Sequence, residues 1–173
     1  MNFEIIKKNY AKKLWTKKMV GVALKKGIIT EEEYELIVNE AYEPETLEEA
    51  KNLKLAEIDA WTAAKITGGF VSNASGEAVT YDSDKDTQLT MQGIALNVNT
   101  ELFAEKYPDG CPVRGYPAGS DTKQIYMLTP AQVMQWQADL SIHIGTCKQN
   151  GWAKQAEVNA AATVEDVNAV VLN

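Results

Sequence analysis

The sequence is poor in the residue types that build catalytic and metal centres. It contains one histidine, His143, and one arginine, Arg114, and its two cysteines, Cys111 and Cys147, form no CxxC motif. A zinc site would need more nitrogen or sulfur ligands than these. We therefore expect no metal and no cofactor. We interpret the cysteines as reduced structural thiols, since cytosolic chains seldom keep disulfides.

Long apolar runs are also lacking. No run approaches the roughly 18–20 residues that a membrane helix needs. The N-terminal stretch has lysines between its apolar residues and no small-residue cleavage site, so it is not a signal peptide. We expect a soluble protein without membrane contacts that stays, at least at first, where it is made. Its 173 residues, 45% of them hydrophobic, suit one medium domain or a small domain with a short appendage.

The net charge of −7 is distributed unevenly along the chain. Residues 1–30 hold eight lysines against Glu4, whereas residues 31–59 hold eleven acids against Lys51 and Lys54. This pattern suits association with another protein surface or self-association. Nucleic-acid binding is not expected, because the lysines are confined to one short unit and the overall balance is acidic.

The first forty residues predict three short helices. Apolar spacing of three to four indicates helices over 3–15 and 16–26, and Gly27 is a typical residue for ending the second. Thr30 and Glu33 form the pattern of a capping box, which predicts a third helix over 30–41. A unit this small has few core residues and is marginally stable alone.

The same segment resembles a known family. Ile6-Lys7 and Tyr10 are followed by KGIITEEEYELI, residues 26–37, and by Tyr42. This pattern resembles the XkdX family, very small proteins associated with phage and prophage tails, over residues 3–42. Val38-Asn39 stands where that family usually has a glycine, so the last turn is expected to differ. The family has no assigned chemistry, so the resemblance implies a tail context without a mechanism.

Beyond Pro44 the patterns predict a mostly helical α+β fold. Residues 47–66 predict a long helix that ends at Gly68-Gly69, with a coiled-coil trimer through this helix as an alternative. Residues 68–84 predict a β-hairpin with its turn at 73–76. Residues 87–107 have helical spacing, and residues 107–124 predict a loop or short exposed hairpin. Gln124–Leu128 predicts a strand.

The C-terminal third predicts three helices. Thr129-Pro130 is a typical helix start and opens a helix from 130 to about 150. Two shorter helices are predicted over 152–162 and 164–171, with Thr163 capping the last. The residues expected to face inward on the first of these helices are Val133, Met134, Trp136, Leu140, Ile144 and Cys147. Trp61, Trp136 and Trp152 are expected in the core or at an interface.

Residues 58–171 as a block resemble a second family. The order and spacing of Ala63–Ile66, Tyr81–Asp84, Leu128–Val133 and Ala160–Val167 are similar to an uncharacterised domain of phage tail-fibre and fibre-assembly proteins. The Pro- and Gly-rich stretch 107–120 is longer than that pattern leads us to expect.

Three sets of residues offer chemistry, and each also has a structural interpretation. Asp82, Asp84 and Asp86 could bind calcium, but positions 6 and 12 of the loop lack the glycine and glutamate of an EF-hand, so we favour a hairpin end and a helix cap. His143 with Asp139 and Cys147 could suggest a nucleophile, but spacings of four place them on one helical stripe. A glycosidase pair could come from Glu101, Glu105 and Asp109, which better fit a solvated helix end.

Together these patterns predict a non-enzymatic phage or prophage tail protein that acts through protein–protein contacts. Residues 1–43 would be a small helical docking unit, 44–67 a hinge and connecting helix, and 68–173 an α+β tail-associated domain. Alternatively, the unit of 1–43 packs on the 47–66 helix. The candidate interface residues are Tyr10, Trp15, Tyr34 and Trp61.

The expected partners are phage tail-fibre, receptor-binding or baseplate proteins, with a homo-oligomer as a further possibility. The protein would be in the host cytoplasm during assembly and in the virion tail afterwards. The alternatives are an assembly chaperone that binds the fibre tip and, more remotely, a tail-associated hydrolase.

Overall fold

A computed structural model describes residues 2–173, which form eight helices and one four-stranded antiparallel sheet. The mostly helical α+β class predicted from the sequence is confirmed. The chain divides into two compact units, unit 1 up to Thr46 and unit 2 from Leu47 to Asn173. The elements are α1 Phe3–Ala11, α2 Lys17–Lys25, α3 Glu31–Val38, α4 Leu47–Thr67, β1 Phe70–Ser72, β2 Val79–Tyr81, α5 Lys85–Asn97, α6 Glu101–Lys106, β3 Cys111–Pro117, β4 Gln124–Leu128, α7 Pro130–Ala160 and α8 Val164–Ala169.

Unit 1 is a three-helix unit with its own small core. Its helices begin at side-chain caps, with Asn2, Thr16 and Thr30 accepting from backbone N–H groups of the first turn. The predicted capping box is confirmed, since Thr30 Oγ1 accepts from Glu33 N and the Glu33 carboxylate accepts from Thr30 N. The buried core residues are Ile6, Val20, Ala23, Ile29, Tyr34, Ile37 and Val38.

In unit 2, one face of the sheet packs on α7, and α5 packs against α7 and adds Met91 to the same core. The strands lie in the order β1-β2-β3-β4, all antiparallel, with Phe70 opposite Tyr81, Val79 opposite Pro117 and Cys111 opposite Leu128. The β1–β2 hairpin and the β4 strand that the sequence predicts are confirmed. The core under the sheet consists of Phe70, Ala74, Val79, Tyr81, Met91, Val98, Cys111, Val113, Leu128, Val133, Trp136 and Leu140.

The long helix α7 also pairs with α4, and α8 packs across this pair. A second cluster of unit 2 lies here and consists of Ala50, Ile58, Val158, Val167 and Val170. The helix break predicted at residue 151 is wrong, because α7 continues without interruption to Ala160. Met134, predicted to face inward, is 47% exposed instead. None of the helices in residues 2–173 combines the length and apolar character needed to cross a membrane.

The stretch 87–107 is divided into two helices. α5 ends at Asn97, and α6 begins after Thr100, whose hydroxyl accepts from Phe103 N. Leu89 lies on the face of α5 opposite to Met91 and Val98 and is 70% exposed, and Leu102, after the break, is 76% exposed.

Candidate interaction surfaces

The strand register defines an outer face of the sheet, opposite to the face that packs on α7. Side chains alternate between the two faces of a strand, so the partners of buried pairs leave every second residue outside. Val71 lies opposite Thr80, which lies opposite Tyr116, and Arg114 and Pro112 lie opposite Ile125 and Met127. We define the outer face as Val71, Thr80, Pro112, Arg114, Tyr116, Ile125 and Met127.

Much of this outer face is apolar and exposed to solvent. Ile125 is 66% exposed, Val71 61% and Met127 47%. The apolar part of the face is on β3 and β4, where Ile125 and Met127 are neighbours on one strand and Met127 lies opposite Pro112. Exposed apolar patches are typical of contact surfaces for other proteins. Residues 111–115 of β3 alternate between buried and exposed positions, but the two prolines and the glycine of this strand obscure the pattern in the sequence. The sequence predicts only a loop or short exposed hairpin here, so it does not predict the outer face.

One end of the outer face is polar. Lys123 forms an ion pair with Asp82, and its ammonium lies 5.1 Å from the centre of the Tyr116 ring. The hydrogen bond with Asp82 raises the pKa of Lys123. The polar end therefore keeps a fixed positive charge beside an aromatic ring at all physiological pH values.

The sequence of β4 does not protect this edge of the sheet against pairing with another strand. β4 pairs with β3 alone among the described strands, and its residues, QIYML, include no charge and no proline. Natural edge strands are usually protected by such residues. The unprotected edge runs beside Ile125 and Met127 and extends the candidate surface.

A half-open apolar cleft lies beside α6. Its volume is about 230 Å³, and it is lined by Val98, Phe103, Ala104, Tyr107, Pro108, Asp109, Gly110, Cys111, Leu128, Thr129 and Pro130. Cys111 is 4% exposed, and burial raises the pKa of its thiol. The thiol is therefore a poor nucleophile at neutral pH.

The three aspartates of the DSDKD segment have structural partners. Asp84 is the N-cap of α5, where its carboxylate accepts from Asp86 N and Thr87 N at 3.0 Å and from the Thr87 hydroxyl at 2.6 Å. These hydrogen bonds lower the pKa of Asp84, and the bond from the Thr87 hydroxyl has the largest effect. Asp82 pairs with Lys123, and Asp86 lies in the first turn of α5. Within residues 2–173, no three His, Cys, Asp or Glu side chains are grouped in a way that could hold a metal ion.

His143 and its neighbours on α7 make separate contacts. His143 Nε2 lies 3.1 Å from the Lys65 carbonyl oxygen of α4 and 3.7 Å from Cys147 Sγ. Asp139 instead accepts from the Ser72 hydroxyl at 2.6 Å and from Gln135 Nε2 at 2.6 Å. Burial raises the pKa of the Cys147 thiol. His143 therefore joins α7 to α4, whereas Asp139 joins α7 to β1.

The third acidic set lies at and after α6. Glu101 is in the first turn of α6, where a carboxylate favours the positive helix end, and Glu105 is exposed near its end. Asp109 lines the rim of the apolar cleft.

The four candidate interface residues differ in exposure. Tyr34 is 2% exposed and packs edge-on against Tyr42, so its ring belongs to the core of unit 1. Tyr10 and Trp15 are half-buried against the same core. Trp61 is half-buried on α4 with the Lys65 ammonium 5.7 Å from its ring centre. Of the remaining tryptophans, Trp136 is in the sheet core and Trp152 is 62% exposed.

The fold and surfaces define the chain as a mostly helical α+β protein with an open sheet face and a small helical unit before it. Residues 49–171 match the model of the family described as "Domain of unknown function (DUF4376)", and residues 3–42 match "Phage uncharacterised protein (Phage_XkdX)". The first match spans more than half of the chain, so the chain belongs to the DUF4376 family. The match of residues 3–42 identifies the chain as a phage-associated protein and confirms the resemblance of this segment to the XkdX family. No curated protein and no solved structure matches the chain.

Proposed function

We propose that this chain is a non-enzymatic phage tail protein that binds the tail fibre, the receptor-binding protein or the baseplate through protein–protein contacts. The observation that carries the proposal is the exposed apolar outer face of the sheet next to the unprotected β4 edge. Protein partners bind such surfaces by covering apolar side chains or by adding a strand at the edge. The match of residues 3–42 to a phage family supports the tail context.

The reactive side chains support a binding role because their observed contacts are structural. Asp84 caps a helix, Asp82 holds Lys123, and His143 contacts a backbone carbonyl of α4. Both cysteines are buried. A catalytic site needs such groups to converge on one substrate position, whereas here each group is directed at a different element of the fold.

The proposal also includes a location. The protein would assemble with its partner in the host cytoplasm and remain in the tail of the finished particle. A chaperone that binds the fibre tip would use the same apolar surface but leave before completion. The presence of the protein in purified particles therefore separates the two roles.

A pair of matched substitutions tests the surface. Ile125 on the outer face and Ile142 on α7 are 66% and 65% exposed, so Ile125→Glu and Ile142→Glu add the same charge at equal exposure. Each variant would be expressed in a phage or lysogen that encodes this chain, and its copy number in purified particles would be measured by mass spectrometry. We expect Ile125→Glu to reduce incorporation by about tenfold or more, with Ile142→Glu near wild type.

Three outcomes would contradict the proposal. If particles lack the wild-type protein while its co-expression rescues fibre solubility, the chaperone role replaces the virion role. Equal incorporation of both variants removes the outer face as the contact surface. Turnover of a cell-wall or capsular polysaccharide by the purified chain, lost on substitution of Glu101, Glu105 or Asp109, would make it a hydrolase.

A further inference from the structure

Unit 1 separates its charges onto different helices. Lysines lie on α1, α2 and the turns after them, and seven glutamates lie between residues 31 and 45. Two ion pairs join the two sets within the described part of the unit, Lys17 with Glu40 and Lys25 with Glu45. Most of the lysines and glutamates therefore face solvent without an opposite charge in contact, which leaves the unit with one basic and one acidic surface.

The basic surface presents an exposed leucine on a strained turn. α1 ends in a Schellman motif, in which Leu14 N donates to the Asn9 carbonyl at 2.9 Å and Lys13 N donates to the Tyr10 carbonyl at 2.9 Å. Lys13 occupies the left-handed position, with a φ of 57°, where glycine is usual. We call residues 12–14, Lys-Lys-Leu, the Leu14 turn.

The side chain of Leu14 is not used within its own unit. A Schellman motif normally places the apolar residue at this position against the preceding helix, yet Leu14 is 67% exposed. The chain therefore accepts a strained lysine and an exposed leucine at the same turn. Local rules of this kind are usually broken where a site needs the resulting shape.

The acidic surface has a matching form. A shallow depression of about 510 Å³ on α3 is lined by Glu32, Glu35, Leu36, Asn39, Glu40 and Ala41, which we call the Leu36 surface. Leu36, one of its lining residues, is 68% exposed. Glu40 is already paired with Lys17, so the acidic charge of the Leu36 surface comes from Glu32 and Glu35. Each of the two surfaces thus combines one exposed leucine with two charged side chains of one sign, and the signs are opposite.

We propose that unit 1 mediates self-association, in which the Leu14 turn of one copy inserts into the Leu36 surface of a second copy. The lysines would lie against Glu32 and Glu35 while the two leucines cover each other. This gives an apolar centre with a charged rim, which is the usual anatomy of a protein interface. Because the two surfaces differ, each copy can both donate and accept a contact, and a closed ring results where the rotation between copies closes.

Charge reversal tests this contact by sedimentation velocity of the full chain. Lys12→Glu with Lys13→Glu makes both surfaces acidic, and Glu32→Lys with Glu35→Lys makes both basic. We expect the association of each double variant alone to be weaker than that of wild type by about tenfold or more. An equimolar mixture restores association, because every contact in it joins an acidic turn to a basic surface or the reverse.

The control for Lys12→Glu with Lys13→Glu is Lys85→Glu with Lys106→Glu in unit 2, which changes the net charge by the same amount and leaves association unchanged. Wild-type association also weakens between about 0.1 M and 1 M salt, since the Debye length falls from about 10 Å to about 3 Å. Circular dichroism confirms that each variant is folded. Should a charge variant unfold, Leu14→Gln provides a neutral variant with the same expected loss.

Lys13→Gly separates this role from a purely structural one. Glycine relieves the left-handed strain, so it raises Tm, while loss of the lysine weakens association. A wild-type chain that is monomeric in low salt at all concentrations would overturn the proposal. So would a mixture of the two charge variants that associates no better than either alone. Neither result bears on particle incorporation, so the proposed function is tested separately.

Discussion

Gly151 of α7 lies directly against the side chain of Thr62 on α4. A methyl group placed on Gly151 would be 2.4 Å from Thr62 Oγ1, 3.2 Å from its Cγ2 and 3.4 Å from its Cβ. Nearby, Gln155 Nε2 donates to Asp59 Oδ1 at 2.7 Å, and Lys51 Nζ donates to the Asn159 carbonyl at 2.9 Å. The two long helices therefore approach closely at this glycine, and α7 continues through it.

Gly151→Ala is expected to destabilise the protein even though alanine is the better helix former. The added methyl group overpacks the α4–α7 contact at a cost of about 1–3 kcal/mol, against a gain of about 1 kcal/mol in helix propensity. Urea denaturation gives the free energy of unfolding. Gly145→Ala on the same helix is the matched control, because nothing lies within 4 Å of its added methyl group, and it should stabilise by up to about 1 kcal/mol.

Gly151→Ala should stabilise the protein, and no longer destabilise it, when Thr62 is replaced by a smaller residue. In a Thr62→Ala background the methyl group of Gly151→Ala has room, so only the propensity gain of about 1 kcal/mol is left. A double-mutant cycle on the free energy of unfolding measures this coupling. Additive effects of the two substitutions would mean that the contact between Gly151 and Thr62 is not what requires glycine.

Gly115 in β3 should tolerate no side chain. Its added methyl group would lie 2.4 Å from Val79 Cγ1 and 2.8 Å from Tyr81 Cδ1, both under the inner face of the sheet. We expect Gly115→Ala to cost about 1–3 kcal/mol in the free energy of unfolding. The neighbouring Arg114→Ala on the outer face is the control, with a change within about 0.5 kcal/mol. Equal effects of the two changes would contradict the register between β2 and β3.

Asp84→Ala should lower Tm in a pH-dependent manner. The folded-state pKa of Asp84 is lower than its ordinary value of 3.8, so its stabilising effect is present above that value and is lost as pH falls through the folded pKa. We expect Tm to fall by roughly 2–4 °C at neutral pH. The difference from wild type should shrink below about pH 4.

Asp84→Asn is the matched control for the charge. Asparagine caps helices about as well as aspartate, so this variant should keep most of the stability at neutral pH. Its Tm difference from Asp84→Ala should depend little on pH, because neither variant has an ionisable group at this position. A Tm difference for Asp84→Ala that stays constant down to acidic pH would exclude the ionised cap as its cause.

The two thiols should be unreactive in the folded protein. Cys111 and Cys147 are 4% and 9% exposed, and burial raises the pKa of both. At neutral pH we expect an aromatic disulfide reagent to react with both on the order of 100-fold more slowly than in denaturant. A Ser141→Cys variant adds an exposed thiol on α7 and should react at once.

The sequence predicted best those features that depend on neighbours in the chain. The capping box predicted at Thr30 is present, and the helix start predicted at Thr129 and the cap predicted at Thr163 are found to be capping boxes as well. A capping box needs only the residue three positions later. The turn at 73–76 likewise joins two strands by a local hydrogen bond, from Gly76 N to the Asn73 carbonyl at 2.9 Å.

Features that depend on distant contacts were not predicted. The sequence predicts a helix break at residue 151. Glycine lowers helix propensity by about 1 kcal/mol, but in the structure this glycine lies within α7 and allows the close approach of α4. The pairing of β2 with β3 joins segments separated by α5 and α6, so no local pattern indicated that the two hairpins form one sheet. The outer face follows from that pairing and could not be assembled from the sequence.

The two ends of unit 2 come together in one small cluster. Leu47 at the start of α4 and Leu172 near the C-terminus both pack against Ala50, Ile58, Val158, Val167 and Val170. A pulling force applied between the two ends would consequently act first on this cluster. We expect such tension to separate α8 from α4 before it reaches the strands, so the sheet would keep its shape while the ends are pulled.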